Sequence, residues 1–129
     1  MSCLFNSIGN LLEKKSTRKE ICNYMERNLK KKIDGTEIEE WIMHAALVEI
    51  KRKPSVKKYI DRMKKNNSWG GGLEIMVACV LYNVEIEVKR KRRGGKIEIC
   101  NFKWTPNPKA KLFLDYNGAH YEPGKIIRY

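Results

Sequence analysis

Two side chains that could do chemistry together stand near opposite ends of this chain. Cys3 opens the stretch Cys3-Leu4-Phe5-Asn6-Ser7-Ile8, and His120 follows the lead-in Asn117-Gly118-Ala119. A thiol with an imidazole beside it in the fold is a nucleophile and its base. Glu122 lies two residues after His120, and residues i and i+2 share one face of a strand. Its carboxylate is therefore predicted to orient the imidazole, as the third member of a triad.

The Cys3 thiol is expected to be activated by a helix that begins with it. Leu4, Ile8, Leu11 and Leu12 recur at helical spacing, which predicts a helix with Cys3 at its start. A thiol reacts as its thiolate, and the positive end of a helix dipole favours that negative charge. The backbone N–H of Cys3 could also donate into an oxyanion hole.

Four more helices are predicted before residue 83, and strands after it. Two helices are predicted to begin with a capping box. The first is Thr17 with Glu20, which matches the pattern better than Ser16 with Lys19, and the second is Thr36 with Glu39. The last helix, around residues 73–81, is apolar on both faces and is expected to be buried.

Four other features have structural rather than chemical interpretations. Pro54 suits the first turn of a helix. His44 is predicted to be a structural or surface residue, and Trp69 to be a packing anchor. The glycine run 70–72 could cradle a phosphate at a helix start, but it lacks the Lys-Ser/Thr of a nucleotide P-loop. A tight turn is therefore favoured there.

The last third of the chain changes its periodicity. Apolar and charged residues alternate over 84–89, which predicts a half-buried strand. Residues 93–96 are typical of a hairpin turn, after which a strand returns from Ile97. Two more strands are predicted at 112–116 and 125–129. A helical half followed by a strand-rich half indicates an α+β fold.

Three passages, in the same order along the chain, resemble the motifs of the ovarian tumour (OTU) family of cysteine proteases. Cys3-Leu4-Phe5-x-Ser7-Ile8 resembles the nucleophile motif, and Ser68-Trp69-Gly70-Gly71-x-Leu73-Glu74 resembles the central motif that leads into the core helix. The histidine motif is resembled by Leu112-x-Leu114-x-Tyr116-x-Gly118-x-His120-Tyr121. The resemblance spans about residues 1 to 128.

This resemblance implies a fold, an activity and a site. The fold would be the papain-like α+β fold of the OTU type, with a helical lobe packed on a small, mainly antiparallel sheet and the active site between them. The activity would be that of a deubiquitinase, which hydrolyses (iso)peptide bonds at the C-terminus of ubiquitin or a ubiquitin-like modifier. Cys3 would attack, His120 would transfer protons, Glu122 would orient His120, and no cofactor would be needed.

Two departures from the family pattern leave an alternative open. The family usually has Asp-Gly-Asn directly before the cysteine, and this chain has Met1-Ser2. The family commonly has Asp or Asn where this chain has Glu122. A catalytically silent OTU-like domain that binds ubiquitin or another protein is the alternative that the missing Asp-Gly-Asn motivates.

Composition adds a second alternative, from another class of function. The chain has 129 residues, which suggests one domain over residues 1–129, and its formal net charge is +12. Such a charge predicts attraction to nucleic acid or another anionic surface, and the basic run 89–93 could contact RNA. The basic residues are spread over many segments without an interleaved aromatic motif, so an RNA-binding module is not favoured. The run at a hairpin tip is expected simply to be solvated.

Cysteine usage and hydropathy indicate the compartment. The four cysteines, Cys3, Cys22, Cys79 and Cys100, show no metal-type or paired spacing, which fits a reduced chain. No signal peptide or apolar run of 18 or more residues is visible, so a cytoplasmic chain without membrane contact is expected. The chain is also expected to be a monomer. Small size, many lysines and the short N-terminus would suit a viral or parasite-encoded domain cut from a larger polypeptide, which would then act in the host cytoplasm.

Overall fold

The computed structural model describes residues 3–49, 55–65, 68 and 70–129. Helices precede the main strands along the chain, as predicted. The helices are α1 (Cys3–Leu12), α2 (Thr17–Arg27), α3 (Ile38–Glu49), α4 (Val56–Met63) and α5 (Gly72–Tyr82). The strands are β1 (Lys32–Ile33), β2 (Thr36–Glu37), β3 (Val84–Lys91), β4 (Ile97–Phe102), β5 (Ala110–Tyr116) and β6 (Tyr121–Arg128).

The main sheet has the strand order β4-β3-β5-β6. The pairs β3–β4 and β5–β6 are antiparallel, whereas β3 and β5 run parallel. The prediction of a small, mainly antiparallel sheet beside a helical lobe is therefore confirmed. The β3–β4 connection is a short 3₁₀ turn at Arg93–Gly95, closed by a hydrogen bond from the Arg92 N–H to the Lys96 carbonyl at 2.7 Å.

One face of this sheet is covered by helices. Successive strand residues point to opposite faces, so Ile86 and Leu112 point inward and are fully buried. On the outer face, the ammonium group of Lys111 lies 3.4 Å from the Glu85 carboxylate and 3.3 Å from that of Glu87. The predicted buried helix is α5, which packs against α2 and β3.

Helix α1 lies against β6 and the end of β5. It does so because its apolar stripe must be buried: Ile8 is fully enclosed, and burying an isoleucine side chain stabilises a fold by about 1.5–3 kcal/mol. The predicted helix from Cys3 is thus confirmed. Its N-terminus points at the connection between β5 and β6, where the active site is expected.

The predicted capping box of α2 is wrong. Ser16, rather than Thr17, is the N-cap residue, and its side chain makes no capping hydrogen bond. Glu20 instead accepts a hydrogen bond from the Tyr82 hydroxyl at 2.6 Å. A long-range contact to α5 has replaced the local one that the sequence pattern suggested.

The second capping box is also wrong. Thr36 belongs to β2, and α3 begins at Ile38. Asp34 and Gly35 have φ values of 54° and 78°, so they form the two-residue turn of a small β1–β2 hairpin. Positive φ at both central residues is the geometry that an Asp-Gly pair favours between strands. The Asp34-Gly35 pair is thus the sequence feature that indicates a hairpin here rather than the start of a helix.

Two boundaries differ from those expected. Helix α4 forms as predicted, with the Ser55 hydroxyl accepting from the Lys58 N–H at 3.3 Å; Pro54 lies outside the described residues. Strand β6 begins at Tyr121 rather than at residue 125, because a bulge lets it continue past Pro123 and Gly124. In the described part of the chain, no helix has the length and apolar character that crossing a membrane requires.

Candidate active site

The structure brings Cys3 and His120 together, although 117 positions separate them in sequence. The Cys3 Sγ lies 3.3 Å from the His120 Nδ1, within hydrogen-bond distance for a sulfur atom. Helix α1 delivers the thiol, and the connection between β5 and β6 delivers the imidazole. A thiol and an imidazole at this distance can exchange a proton, which is what a cysteine nucleophile and its base require.

Cys3 is the first residue of α1 and is partly exposed. The buried Ser7 donates a hydrogen bond from its hydroxyl to the Cys3 carbonyl at 2.7 Å, which fixes the first turn. The unpaired amides at the start of a helix favour negative charge nearby, so this position suits a thiolate. The residues that precede Cys3 lie outside the described part of the chain.

His120 ends a tight turn, residues 117–120, that we call the histidine turn. The Asn117 Oδ1 accepts hydrogen bonds from the backbone N–H groups of Ala119 and His120, at 2.8 and 2.7 Å. The Asn117 N–H donates to the His120 carbonyl at 3.2 Å. Gly118 has a φ of +96°, a backbone conformation that residues with a side chain rarely adopt. The asparagine and the glycine of the motif are therefore explained by the backbone that carries the imidazole.

Two tyrosines flank the histidine turn at the ends of its strands. The rings of Tyr116 and Tyr121 are stacked, with centroids 4.3 Å apart, and the Tyr116 hydroxyl donates to the Gly118 carbonyl at 3.0 Å. Burial raises the pKa of Tyr121 to about 12, with Tyr116 adding to the shift. Its hydroxyl therefore stays neutral at physiological pH. In the sequence, both tyrosines are recognisable only as positions of the histidine motif, and nothing local indicates that their rings stack.

Glu122 shares a recess of about 410 Å³ with His120. Asp115, the cross-strand partner of Glu122, lines the same recess, as do Lys89 and Lys91 from β3. All four charged side chains belong to the outer face of the sheet. The predicted acid is thus in the neighbourhood of the imidazole, together with a second carboxylate and two ammonium groups.

A second recess, of about 530 Å³, opens on the helix-facing side of the sheet. It runs from the start of α5, at Gly72 and Ile75, to the edge strand β4, and Tyr121 forms part of its wall. Its lining is mostly apolar, with Arg90 and Glu98 as the charged groups. Such a recess suits an extended, partly apolar chain segment.

The basic run 89–93 does not behave as one solvated tip, which corrects the expectation. Lys89, Arg90 and Lys91 belong to β3, and only Arg92 and Arg93 lie beyond its end. The guanidinium of Arg90 lies over the Tyr116 ring, 5.4 Å from its centroid. Successive residues of this run therefore approach the histidine from the two faces of the sheet.

The remaining cysteines differ from Cys3 in their surroundings. Burial raises the pKa of the Cys22 thiol to about 11 and that of Cys79 to about 12. Both thiols are therefore protonated and unreactive at neutral pH. Cys100 is exposed on β4. His44, as predicted, is on the surface of α3.

The glycine run leads into α5 in extended backbone at Gly71, and Gly72 is already the first residue of the helix, so the tight turn favoured there is not observed in residues 70–72. The Gly71 N–H donates to the Glu74 Oε1 at 2.8 Å, so a carboxylate already occupies the amide that a phosphate would need. A methyl group on Gly70 would come within 2.8 Å of the Leu4 side chain and 3.0 Å of the Phe5 ring. The loop therefore packs directly behind the nucleophile. Trp69 lies outside the described residues.

Comparison with known proteins agrees with this architecture. The solved viral OTU domain protease of Dera Ghazi Khan virus superposes with a TM-score of 0.68 at 18% identity, covering 98% of this chain and 76% of that one. An OTU deubiquitinase from Wolbachia pipientis wMel, bound to ubiquitin, gives 0.66 at 16% identity and covers 98% and 90%. At these identities, the likeness establishes the OTU fold.

Sequence comparison establishes the family. The human protein "Ubiquitin thioesterase OTU1" is 30% identical over 67 residues, which are 52% of this chain and 18% of that protein. The chain thus matches less than a fifth of that relative's length. The family profile described as "OTU-like cysteine protease" matches residues 2–124. This chain therefore belongs to the family of OTU-like cysteine proteases.

Proposed function

We propose that this protein is a deubiquitinating cysteine hydrolase that cleaves (iso)peptide bonds at the C-terminus of ubiquitin or a ubiquitin-like modifier. The observation that carries the proposal is the contact between the Cys3 Sγ and the His120 Nδ1 at 3.3 Å. The family supports a cysteine hydrolase. The ubiquitin in the Wolbachia structure and the name of the human relative support the substrate class.

The first half of the reaction would acylate Cys3. His120 accepts the thiol proton, and the sulfur attacks the carbonyl carbon of the terminal glycine. The oxyanion that forms would be stabilised by the backbone N–H of Cys3. As the tetrahedral intermediate collapses, the C–N bond breaks and the His120 imidazolium gives its proton to the leaving lysine amine. A thioester between Cys3 and the modifier remains.

The second half would hydrolyse that thioester. His120, now neutral, takes a proton from a water molecule as the water attacks the thioester carbon. Collapse of this intermediate breaks the C–S bond, so the modifier leaves with a free carboxylate and Cys3 regains its proton. Glu122 would orient the imidazole and stabilise its charged form during both steps.

The approach of the substrate to Cys3 is suggested by the apolar recess beside Tyr121. An extended C-terminal tail would lie between the start of α5 and strand β4, with Arg90 and Glu98 beside it. Burial of apolar tail side chains would then hold the scissile carbonyl in register with the sulfur. No cofactor has a part in these steps.

The decisive experiment uses a ubiquitin probe with a C-terminal electrophile. The wild-type protein should become covalently attached to the probe, whereas Cys3→Ala should bind ubiquitin without capture. His120→Ala should lose turnover by several orders of magnitude, because the two groups act as a unit. Cys22→Ala is the matched control: its thiol is buried and protonated, so capture should persist.

Two outcomes would contradict the proposal in different ways. Capture that persists in Cys3→Ala but is lost in Cys100→Ala would show that Cys100, and not Cys3, is the nucleophile. Ubiquitin binding without capture by the wild-type protein would favour the silent, ubiquitin-binding alternative.

A further inference from the structure

We propose that Arg90 is a positioning residue for His120 and acts through Tyr116 and the histidine turn. The inference rests on the proposed role of His120 as the base. It assigns a role to one residue of a basic run whose composition alone suggests only solvated charge.

The register of the sheet places Arg90 in a row with the two tyrosines. Arg90 is the Cα partner of Tyr116 in the parallel β3–β5 pair, and Tyr116 is the partner of Tyr121 in the antiparallel β5–β6 pair. Cross-strand partners present their side chains on the same face, so the three side chains are neighbours on the helix-facing side. The row ends directly beneath the histidine turn.

The side chains of Arg90, Tyr116 and Tyr121 form a stack in which each contacts the next. The Arg90 guanidinium carbon lies 5.4 Å from the centroid of the Tyr116 ring, which is the range of a cation–π interaction. The same ring stacks on Tyr121 at 4.3 Å between centroids. Tyr116 is thus held between a cation on one strand and an aromatic ring on another.

The stack also touches the backbone that carries the histidine. The Tyr116 hydroxyl donates to the Gly118 carbonyl at 3.0 Å. A methyl group added to Gly118 would come within 3.4 Å of the Arg90 Nη2, so the guanidinium itself lies beside the turn. Gly118 is two residues before His120, and the Asn117 side chain binds the backbone between them. A shift of the stack is therefore passed on to the imidazole.

Such a shift matters because proton exchange depends on distance. The Sγ–Nδ1 separation of 3.3 Å leaves little margin, and a misplacement of about 1 Å can cost about 100-fold in rate. Removing the Arg90 cation should populate turn conformations in which the imidazole is farther from the sulfur. Lysine can also lie over a tyrosine face, so it should replace arginine in part.

The first test measures Cys3 alone and needs no ubiquitin. The rate of alkylation of Cys3 by iodoacetamide at pH 7 is followed by mass spectrometry of its peptide, because only the thiolate reacts. Arg90→Met should slow alkylation about tenfold towards the rate of His120→Ala, and Arg90→Lys should stay within about threefold of wild type, a pattern of cation rescue. Arg93→Met, at the exposed turn, should have no effect.

A double-mutant cycle tests the route through Tyr116. Tyr116→Phe keeps the ring and removes the hydrogen bond to Gly118. If Arg90 acts through this side chain, adding Arg90→Met to Tyr116→Phe should slow alkylation by clearly less than Arg90→Met does alone. Effects that simply multiply would mean that Arg90 does not act through the Tyr116 hydroxyl, and would overturn the proposal.

The other outcomes are separable. If wild-type Cys3 reacts no faster than Cys3 in His120→Ala, both this inference and the proposed function fail. If wild type is faster but Arg90→Met equals wild type, only the inference fails. If Arg90→Met raises KM for a ubiquitin substrate while kcat and alkylation are unchanged, Arg90 contacts the substrate instead. Chemical denaturation of each variant shows whether a loss is merely one of stability.

Discussion

Glu122 is the residue whose role most needs a measurement. It shares the outer-face recess with His120, and it is one methylene longer than the Asp or Asn that the family commonly has there. If its carboxylate orients the ring, Glu122→Ala should lower kcat/KM by about 100-fold, at the low end of the contribution of about 10²- to 10⁴-fold that a positioned general acid or base makes. Glu122→Gln should cost less, because an amide oxygen still accepts a hydrogen bond. Steady-state kinetics on a ubiquitin conjugate measures both.

Unchanged kinetics in both variants would mean that another residue orients the imidazole. Asn117 and Asp115 are then the next candidates, in that order. The Asn117 Oδ1 already accepts two backbone N–H groups of the histidine turn. Its substitution would therefore disturb the backbone as well as any contact with the ring, and Asp115→Asn is the cleaner second variant.

For single residues, the sequence indicates which side chains could react, but it does not indicate which neighbours they contact in the fold. Cys3 and His120 could be identified because the passages around them resemble the nucleophile and histidine motifs of the OTU family, and the structure brings the two side chains together. In the sequence, nothing distinguishes Arg90 from the other four basic residues of the run 89–93. Its place against Tyr116 depends on the parallel register of two strands that are distant in sequence, which no local pattern encodes.

Among the elements, Arg18 of α2 joins three segments behind the nucleophile. Its guanidinium donates to the Met63 carbonyl at the end of α4 and to the Ser68 carbonyl, both at 2.7 Å. It also lies 4.3 Å from the centroid of the Phe5 ring of α1. Burial lowers the pKa of Arg18, since removal from water disfavours its charge. This side chain therefore fixes the helical lobe at the point where Cys3 emerges.

Replacing this arginine should destabilise the fold more than it should alter the chemistry. Arg18→Met leaves two carbonyl groups without their donor, and we expect the free energy of unfolding to fall by about 2–4 kcal/mol. Arg18→Lys should recover only part of this loss, because one ammonium group lacks the planar fork of a guanidinium. Urea denaturation measures the change.

The neighbouring Lys19→Met is the matched control, since Lys19 is exposed on the same helix. Its effect on the free energy of unfolding should stay within about 0.5 kcal/mol. If Arg18→Met is as stable as Lys19→Met, the two hydrogen bonds contribute nothing net, and the lobe must be held by apolar packing alone.

Helix and strand positions followed from periodicity, whereas their ends did not. The apolar stripes of α1, α4 and α5 and the alternation in β3 identify elements because burial is a repeating requirement. Capping patterns failed at Thr17 and Thr36, since Glu20 is engaged by Tyr82 and Thr36 pairs in a hairpin. Tertiary contacts decide between such local alternatives, and they are visible only once the helices are packed.

For the whole molecule, the question is whether the net charge of +12 acts as a general field or through a few positions. A general field would attract any polyanion and would be screened beyond about 8 Å at physiological salt. A local effect would depend on which cations are removed. Lys89 and Lys91 line a recess with His120, and Arg90 lies beside Gly118 of the histidine turn. Arg93, Lys96 and Lys109 are exposed elsewhere.

Two triple variants, each of which replaces three cations with serine, distinguish these cases. Both should weaken any binding of single-stranded RNA, and each should reduce the slope of log affinity against log salt by at most about 2, at about 0.7 per phosphate contact. Cleavage of a ubiquitin conjugate should stay within about tenfold for the variant at 93, 96 and 109, a change of about 1.4 kcal/mol. The variant at 89, 90 and 91 should lose more than tenfold, because it removes the cation beneath the histidine turn. Equal losses in two variants that circular dichroism shows to be folded would mean that total charge, and not its place in β3, governs cleavage.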